Sequence, residues 1–189
     1  RRLMIELGDP NPDDLVYDPC FGLGGFLAEA VSHASWKSSK HMISIQKSSP
    51  IHIAGMEINS TAFVIGACRI VLRGALKSEL ALGDTISENS FSRELQGSPS
   101  LILASPPWGA RIHSDSGRFR VKTARSEGIF VQYILESMSD GGRAAIIVPT
   151  SFLSRKGPEN RIRDMIIREF GLKAVINLPK GSMKPFSNV

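Results

Sequence analysis

Short apolar runs alternate with segments of helical periodicity from one end of the chain to the other. "LVYD" (15–18) predicts a first strand, followed by a glycine-rich turn and a helix from about Gly24 to Ser35. "IHIAGMEI" (51–58) predicts a second strand, and over 60–73 Ala62, Ile65, Cys68 or Arg69, and Leu72 recur at helical spacing. "LALGD" (80–84) and "SLILAS" (100–105) make a third and a fourth strand. "GIFVQYILESMSDGG" (128–142) reads as an amphipathic helix with a glycine stop. "RAAIIVP" (143–149) is a fifth strand, as continuously apolar as one buried on both faces. A charged amphipathic helix over 159–170 and a sixth strand, "LKAVINLP" (172–179), complete the series.

Strands that are apolar throughout, separated by helices, predict an α/β fold: a doubly wound, mainly parallel sheet covered on both faces. The polar, lysine- and serine-rich piece over 36–50 reads as a surface insertion. With 189 residues the chain fits one domain, and its abrupt start and finish read as a core cut from a longer protein.

No apolar run approaches the ~18–20 residues that span a bilayer, and "RRLMIEL" at the start lacks the apolar centre of a signal peptide. Two cysteines, Cys20 and Cys68, without a CxxC or a His/Cys cluster, argue against a disulfide framework or a metal site. A reducing cytoplasm is the expected compartment. The net charge of +5 is modest, but its placement is uneven. Between residues 109 and 126 lie Arg111, Arg118, Arg120, Lys122 and Arg125 against one acid, Asp115. That pattern suits a phosphate-facing loop and a plain solvated loop equally.

In an open parallel sheet, ligands sit beyond the carboxyl ends of the strands. The residues at those ends form a series. Asp18 and the turn Gly22-Leu23-Gly24-Gly25 follow the first strand, Glu57 closes the second, Gly83-Asp84 follows the third, and Ser105-Pro106-Pro107-Trp108 follows the fourth. The glycines admit close approach of a ligand to the backbone, and the helix start beyond them favours an anion. An acid at the second strand end can accept both hydroxyl protons of a ribose, and Asp84 can accept from an adenine amino group or cap a turn. Such a set fits an adenosyl ligand with a carboxylate tail. It does not fit a nucleoside triphosphate, because there is no GxxxxGK[ST]. Two prolines would hold a side-chain oxygen at 105 and the Pro106 carbonyl rigidly, as acceptors for the two protons of a base amino group. Trp108 offers a stacking face for a flipped base.

On "VYDPCFGLGGFLAEA", "IAGMEINSTAFVIGACRIVLRG", "GDT", "LILASPPWG" and "EGIFVQYILESMSDGGRAAIIVPTSFLSR", the chain resembles the catalytic core of the N6-adenine DNA methyltransferases. Within them it is most similar to the modification subunits of type I restriction systems. The resemblance implies the Rossmann-like methyltransferase fold and S-adenosylmethionine as cofactor. It also implies DNA as substrate, with target-recognition and restriction subunits as partners. It places Asp18, Gly22 and Gly24 at the methionine end of the cofactor, Glu57 at the ribose and Asp84 at the adenine, with Ile58 and Thr85 also among the cofactor-binding residues. Ser105, Pro106, Pro107 and Trp108 would form the catalytic corner.

Three positions depart from the family pattern. Ser105 stands where Asn or Asp is usual and resembles the SPPY or SPPW corner of N4-cytosine methyltransferases. Phe21 and Leu23 stand in the glycine loop where relatives often carry a small or cysteine residue and a hydroxyl, and Leu23 cannot donate to a carboxylate. Alternative readings are therefore cytosine N4 methylation, or a cofactor-binding subunit without catalysis. Methylation of RNA or of a protein glutamine, on NPPY-type corners, is a third.

Overall fold

The computed structural model describes residues 1–41, 51–75, 77–87, 97–112, 118–179 and 181–183. Five strands, β1 (Leu15–Asp18), β2 (His52–Glu57), β3 (Ser78–Leu82), β4 (Leu101–Ala104) and β5 (Arg143–Ile146), form one sheet in the order β3-β2-β1-β4-β5. Every pairing between them is parallel. The chain winds outward from β1 to β3, then returns to the other side of β1 for β4. β1 and β4 therefore flank the topological switch point.

Alternate residues of the central strands face opposite layers, as a period of two requires. Val16, Ile53, Leu101 and Leu103 pack with Ile5, Leu27, Val31 and Ile70. These come from the helices α1 (Arg2–Gly8), α2 (Gly25–His41) and α3 (Ser60–Leu72). Tyr17, Ala54, Met56, Ile102 and Ala104 pack on the other face against Ile129, Phe130, Tyr133 and Ile134 of α4 (Ser126–Ser137). This is the doubly wound α/β sheet expected from the alternation of elements.

The structure departs from the sequence expectation at five places. α4 is not amphipathic: Ser126 to Leu135 are all buried. Its outer side is covered too, Val131 and Leu135 packing with Phe152, Ile162 and Met165. These come from α5 (Thr150–Ser154) and α6 (Pro158–Glu169). β5 is half exposed rather than buried on both faces, because it lies at the edge of the described sheet. Among the described residues the sixth strand is absent: residues 171–179 pair with no described strand, and Leu172, Val175 and Ile176 are exposed. Apolar periodicity favours extended chain, but a strand also needs a neighbour for its backbone groups.

The expected insertion begins inside a helix, since α2 runs on to His41, and residues 42–50 lie outside the described residues. Finally, α3 forms where expected but buries a different face. Gly66 and Ile70 are buried, whereas Ile65, Cys68 and Leu72 are exposed. No helix among the described residues is long and apolar enough to cross a membrane.

Gly66 explains that face. A β-carbon there would stand 2.6 Å from the carbonyl oxygen of Gly22 and 3.0 Å from the amide nitrogen of Gly24. α3 thus lies directly against the turn after β1, and backbone packs on backbone. Alanine normally favours a helix over glycine by about 1 kcal/mol. Here Gly66→Ala is expected to destabilise instead, by about 1–3 kcal/mol of overpacking, read as a lowered unfolding midpoint. A raised midpoint would contradict the contact.

Candidate functional site

Because all strands run the same way, their carboxyl ends share one edge of the sheet. Along that edge the order is Asp84 beyond β3, Glu57 at the end of β2, Asp18 at the end of β1 and Ser105 beyond β4. The sequence series is thereby brought together in space.

The turn after β1 is built by backbone conformation. Gly22 and Gly24 hold φ of 54° and 68°, where a side chain is strained. The Gly24 amide closes the turn on the Phe21 carbonyl at 2.8 Å, and Phe21 is tied to the Met56 carbonyl of β2 at 3.1 Å. A β-carbon on Gly22 would meet nothing within 4 Å, so this backbone borders open space. Gly25 opens α2, and the Arg1 guanidinium lies against it, Nη1 3.3 Å from where a β-carbon would sit. Leu23 is exposed.

Glu57 is buried and clamps this turn to its own strand. One carboxylate oxygen accepts from the Gly22 amide and the other from the Asn59 amide, both at 2.8 Å. A carboxylate offers about four acceptor positions, so each oxygen retains one for a ligand hydroxyl. Ile58 beside it is 69% exposed, a large apolar side chain presented at the strand end. Asp84 is half-buried; it accepts from the Ile86 amide at 2.9 Å and the Ser87 hydroxyl at 2.5 Å. It is therefore a turn cap whose oxygens keep acceptor capacity. Thr85 turns inward, its hydroxyl donating to the Pro19 carbonyl at 2.5 Å. That bond ties the β3 loop to the β1 loop and uses the hydroxyl.

Asp18 is 1% exposed. Burial, the largest influence, pushes its carboxyl up to about 7, and the Glu57 charge adds to this, against hydrogen bonds from Cys20. Cys20 lies in the strand-end stretch after β1, where the sequence gives it no role, yet it stands between Asp18 and the Ser105 backbone and interacts with both. Burial, then the Asp18 and Glu57 charges, hold its thiol well above the usual range, so it stays protonated. It links the ends of β1 and β4 across the switch point.

At the fourth strand end Ser105 is half-buried, Pro106 buried and Pro107 exposed. The Trp108 indole N–H donates to the Ile147 carbonyl at 3.2 Å, which fixes the ring against the chain leaving β5. The next amide, Gly109, donates to Glu127 Oε2 at 3.2 Å. Glu127 is 1% exposed and takes a second bond, at 3.1 Å, from Arg155. Burial alone would raise its carboxyl, but the surrounding donors, the Gly109 amide and the Arg155 charge among them, hold it below the usual range. Neither Glu127 nor Arg155 stood out in the sequence. An acid in a helix's first turn ordinarily signals only the helix dipole.

The sequence profile described as N-6 DNA Methylase matches residues 1–187. The chain belongs to this family. It is 25% identical over 195 residues to the type I restriction enzyme EcoEI methylase subunit of Escherichia coli, covering 100% of this chain and 39% of that protein. It is 27% identical to the EcoKI methylase subunit of E. coli K12, covering 95% and 35%. The solved EcoKI M protein superposes with a TM-score of 0.72 at 25% identity, over 86% of this chain and 35% of that one. A class I S-adenosylmethionine-dependent methyltransferase from Listeria monocytogenes shares the fold, with a TM-score of 0.64 at 14% identity, over 84% and 45%. The chain thus spans under two fifths of the length of these family relatives.

The raised Asp18 carboxyl has a signed consequence. Between the ordinary value of 3.8 and about 7, the folded chain holds a proton that the unfolded chain has released. The associated stability is fully present below about 3.8 and is lost as pH rises through about 7. Asp18→Asn is expected to flatten this fall, raising stability at about pH 8 relative to about pH 5 by roughly 1–4 kcal/mol. Denaturant titrations at both pH values check it; identical pH dependence in both proteins would contradict it.

Proposed function

We propose that this chain is the catalytic core of an S-adenosylmethionine-dependent DNA methyltransferase acting on the exocyclic amino group of adenine, N6. It would work within a restriction-modification or related phage-defence system, beside target-recognition and restriction subunits. The observation that carries the reading is the spatial row Asp84, Glu57, Asp18, Ser105 along one sheet edge, centred on the switch point. Family membership and the printed names of the relatives, type I restriction enzyme methylase subunits, support the same activity.

The residues present fit the cofactor. Glu57 keeps acceptor positions for two ribose hydroxyls, Ile58 offers an apolar surface to a purine, and Asp84 can accept from its amino group. Gly22 borders open space, and the first turn of α2, with Arg1 against it, suits a carboxylate tail. Asp18 would hold the ammonium end. When bound, S-adenosylmethionine supplies a methyl group activated by its sulfonium.

At the corner, the lone pair of a base amino group is delocalised into the ring and attacks poorly. Ser105 Oγ and the Pro106 carbonyl would accept its two protons and redirect that lone pair. Trp108, held by Ile147, would stack on the flipped base. Pro106 is buried and the prolines lack rotational freedom about φ, so these acceptors are positioned before substrate arrives. The hydroxyl at 105, where a carboxamide is usual, favours one second reading: transfer to cytosine N4.

Full-length protein, radiolabelled cofactor and diverse DNA, followed by digestion to nucleosides, test both. Label in N6-methyladenine is the expected outcome; label in N4-methylcytosine would move the assignment, and no labelled base would overturn it. Ser105→Ala is expected to lower kcat by about 10²-fold or more while leaving cofactor affinity within about twofold.

A further inference from the structure

Of the five cations in the 109–126 loop, two have other partners and do not line the cleft that the rest share. Arg118 lies over the Phe119 and Tyr133 rings, 5.2 Å from each centroid, and donates to the Ile86 carbonyl. Arg120 pairs with Glu169 at 2.6 Å. The other three, Arg111, Lys122 and Arg125, line a cleft of about 400 Å³ together with Arg155 and Lys156, which come from the chain between α5 and α6. The loop's feet are pinned together: Ile112 donates to the Ala124 carbonyl at 2.9 Å and Ser126 to the Ala110 carbonyl at 3.0 Å. The cations of one wall are therefore set by backbone pairing.

Two buried carboxylates serve this cleft. Glu159 lies 3.6 Å from Arg125, and Glu127 accepts from Arg155 at 3.1 Å. Five cations against two acids leave three positive charges, and among the described residues no acid pairs with Arg111, Lys122 or Lys156. Like charges from two separate chain segments repel one another in a concavity unless an anion joins them. A merely solvated loop would disperse or pair its charges, as Arg120 does. The cleft also adjoins the corner. Arg111 is three residues beyond Trp108, at most about 10 Å of chain. The Glu127 carboxylate is shared between Arg155 and the Gly109 amide.

We infer that this cleft binds a backbone phosphate of the DNA strand that carries the target base, next to the point where that base leaves the stack. The inference rests on the DNA-methyltransferase reading and adds to it the strand contact that anchors the flipped nucleotide. Such a contact positions the strand without reading sequence.

The test uses full-length protein carrying both Lys122→Ala and Lys156→Ala, titrated with duplex DNA across a salt series. The slope of log affinity against log salt is expected to shrink by about 1, because losing one phosphate contact removes about 0.9. Affinity should fall about equally for all sequences. Lys122→Arg with Lys156→Arg should keep the wild-type slope, and Arg120→Ala, which removes the same kind of charge outside the cleft, should keep it too. An unchanged slope in the double alanine variant overturns the inference, as does an equal drop from Arg120→Ala. Tighter binding of RNA of the same sequence overturns the DNA assignment. Cofactor binding and methyl transfer by the wild type are measured separately. Transfer with an unchanged slope removes the cleft alone, whereas a reduced slope without transfer removes the methyltransferase reading and leaves the phosphate site.

Discussion

The site depends on β1 running parallel to both of its neighbours at the switch point. β2 and β4 flank β1 in register, Asp18 opposite Gly55 on one side and Tyr17 opposite Ile102 on the other. A parallel neighbour delivers its carboxyl end to the same edge; an antiparallel one would deliver its amino end. Reversing β4 would carry Ser105 and the prolines to the far side of the sheet. There a different set of groups gathers: Arg143 holds Asp14 through both carboxylate oxygens, at 3.0 and 2.6 Å, with Ser100 adding a bond at 2.6 Å. One edge is closed by ion pairing, which leaves the other free to carry polar groups with acceptor capacity.

On the edge that carries the candidate site, tight backbone packing and free hydrogen-bonding capacity occur together. Gly24 and Gly66 bring the turn and α3 within contact that no side chain could share. That closeness lets Glu57 reach the Gly22 amide and hold the turn open. The same carboxylate braces the turn and keeps an acceptor position on each oxygen. Asp18 carries the opposite cost: it is buried beside Glu57 with few donors, and its carboxyl is pushed up to about 7. A cationic ligand group would relieve that burial. If Asp18 holds the ligand as proposed, stability and ligand binding are coupled through a single carboxyl.

Most of the frame was legible because it is written in short-range pattern. Apolar runs gave β1 to β5 to within a few residues, and glycines, strand-end acids and the Pro-Pro pair marked the candidate site. What escaped depends on contacts distant in sequence. Gly66 looks like any glycine in a helix until the turn 42 to 44 residues earlier is seen against it. The buried outer side of α4 could not be read from its own periodicity, since α5 and α6 cover it. The basic loop divides into cleft-facing and structural cations through Glu169, Tyr133 and Glu159, none of which adjoins it in sequence. The strand expected at 172–179 has the right composition and no neighbour among the described strands.

Under the proposed function, four strand ends form one adenosyl-binding and methyl-transferring edge. A crystal structure of the full-length protein with S-adenosylhomocysteine tests it most directly. The account requires the ribose hydroxyls on Glu57, the adenine between Ile58 and Asp84, the amino-acid end along residues 18–25, and the sulfur facing Ser105. A ligand bound elsewhere, or one at this edge with its sulfur turned away from the Ser105–Trp108 corner, would contradict it.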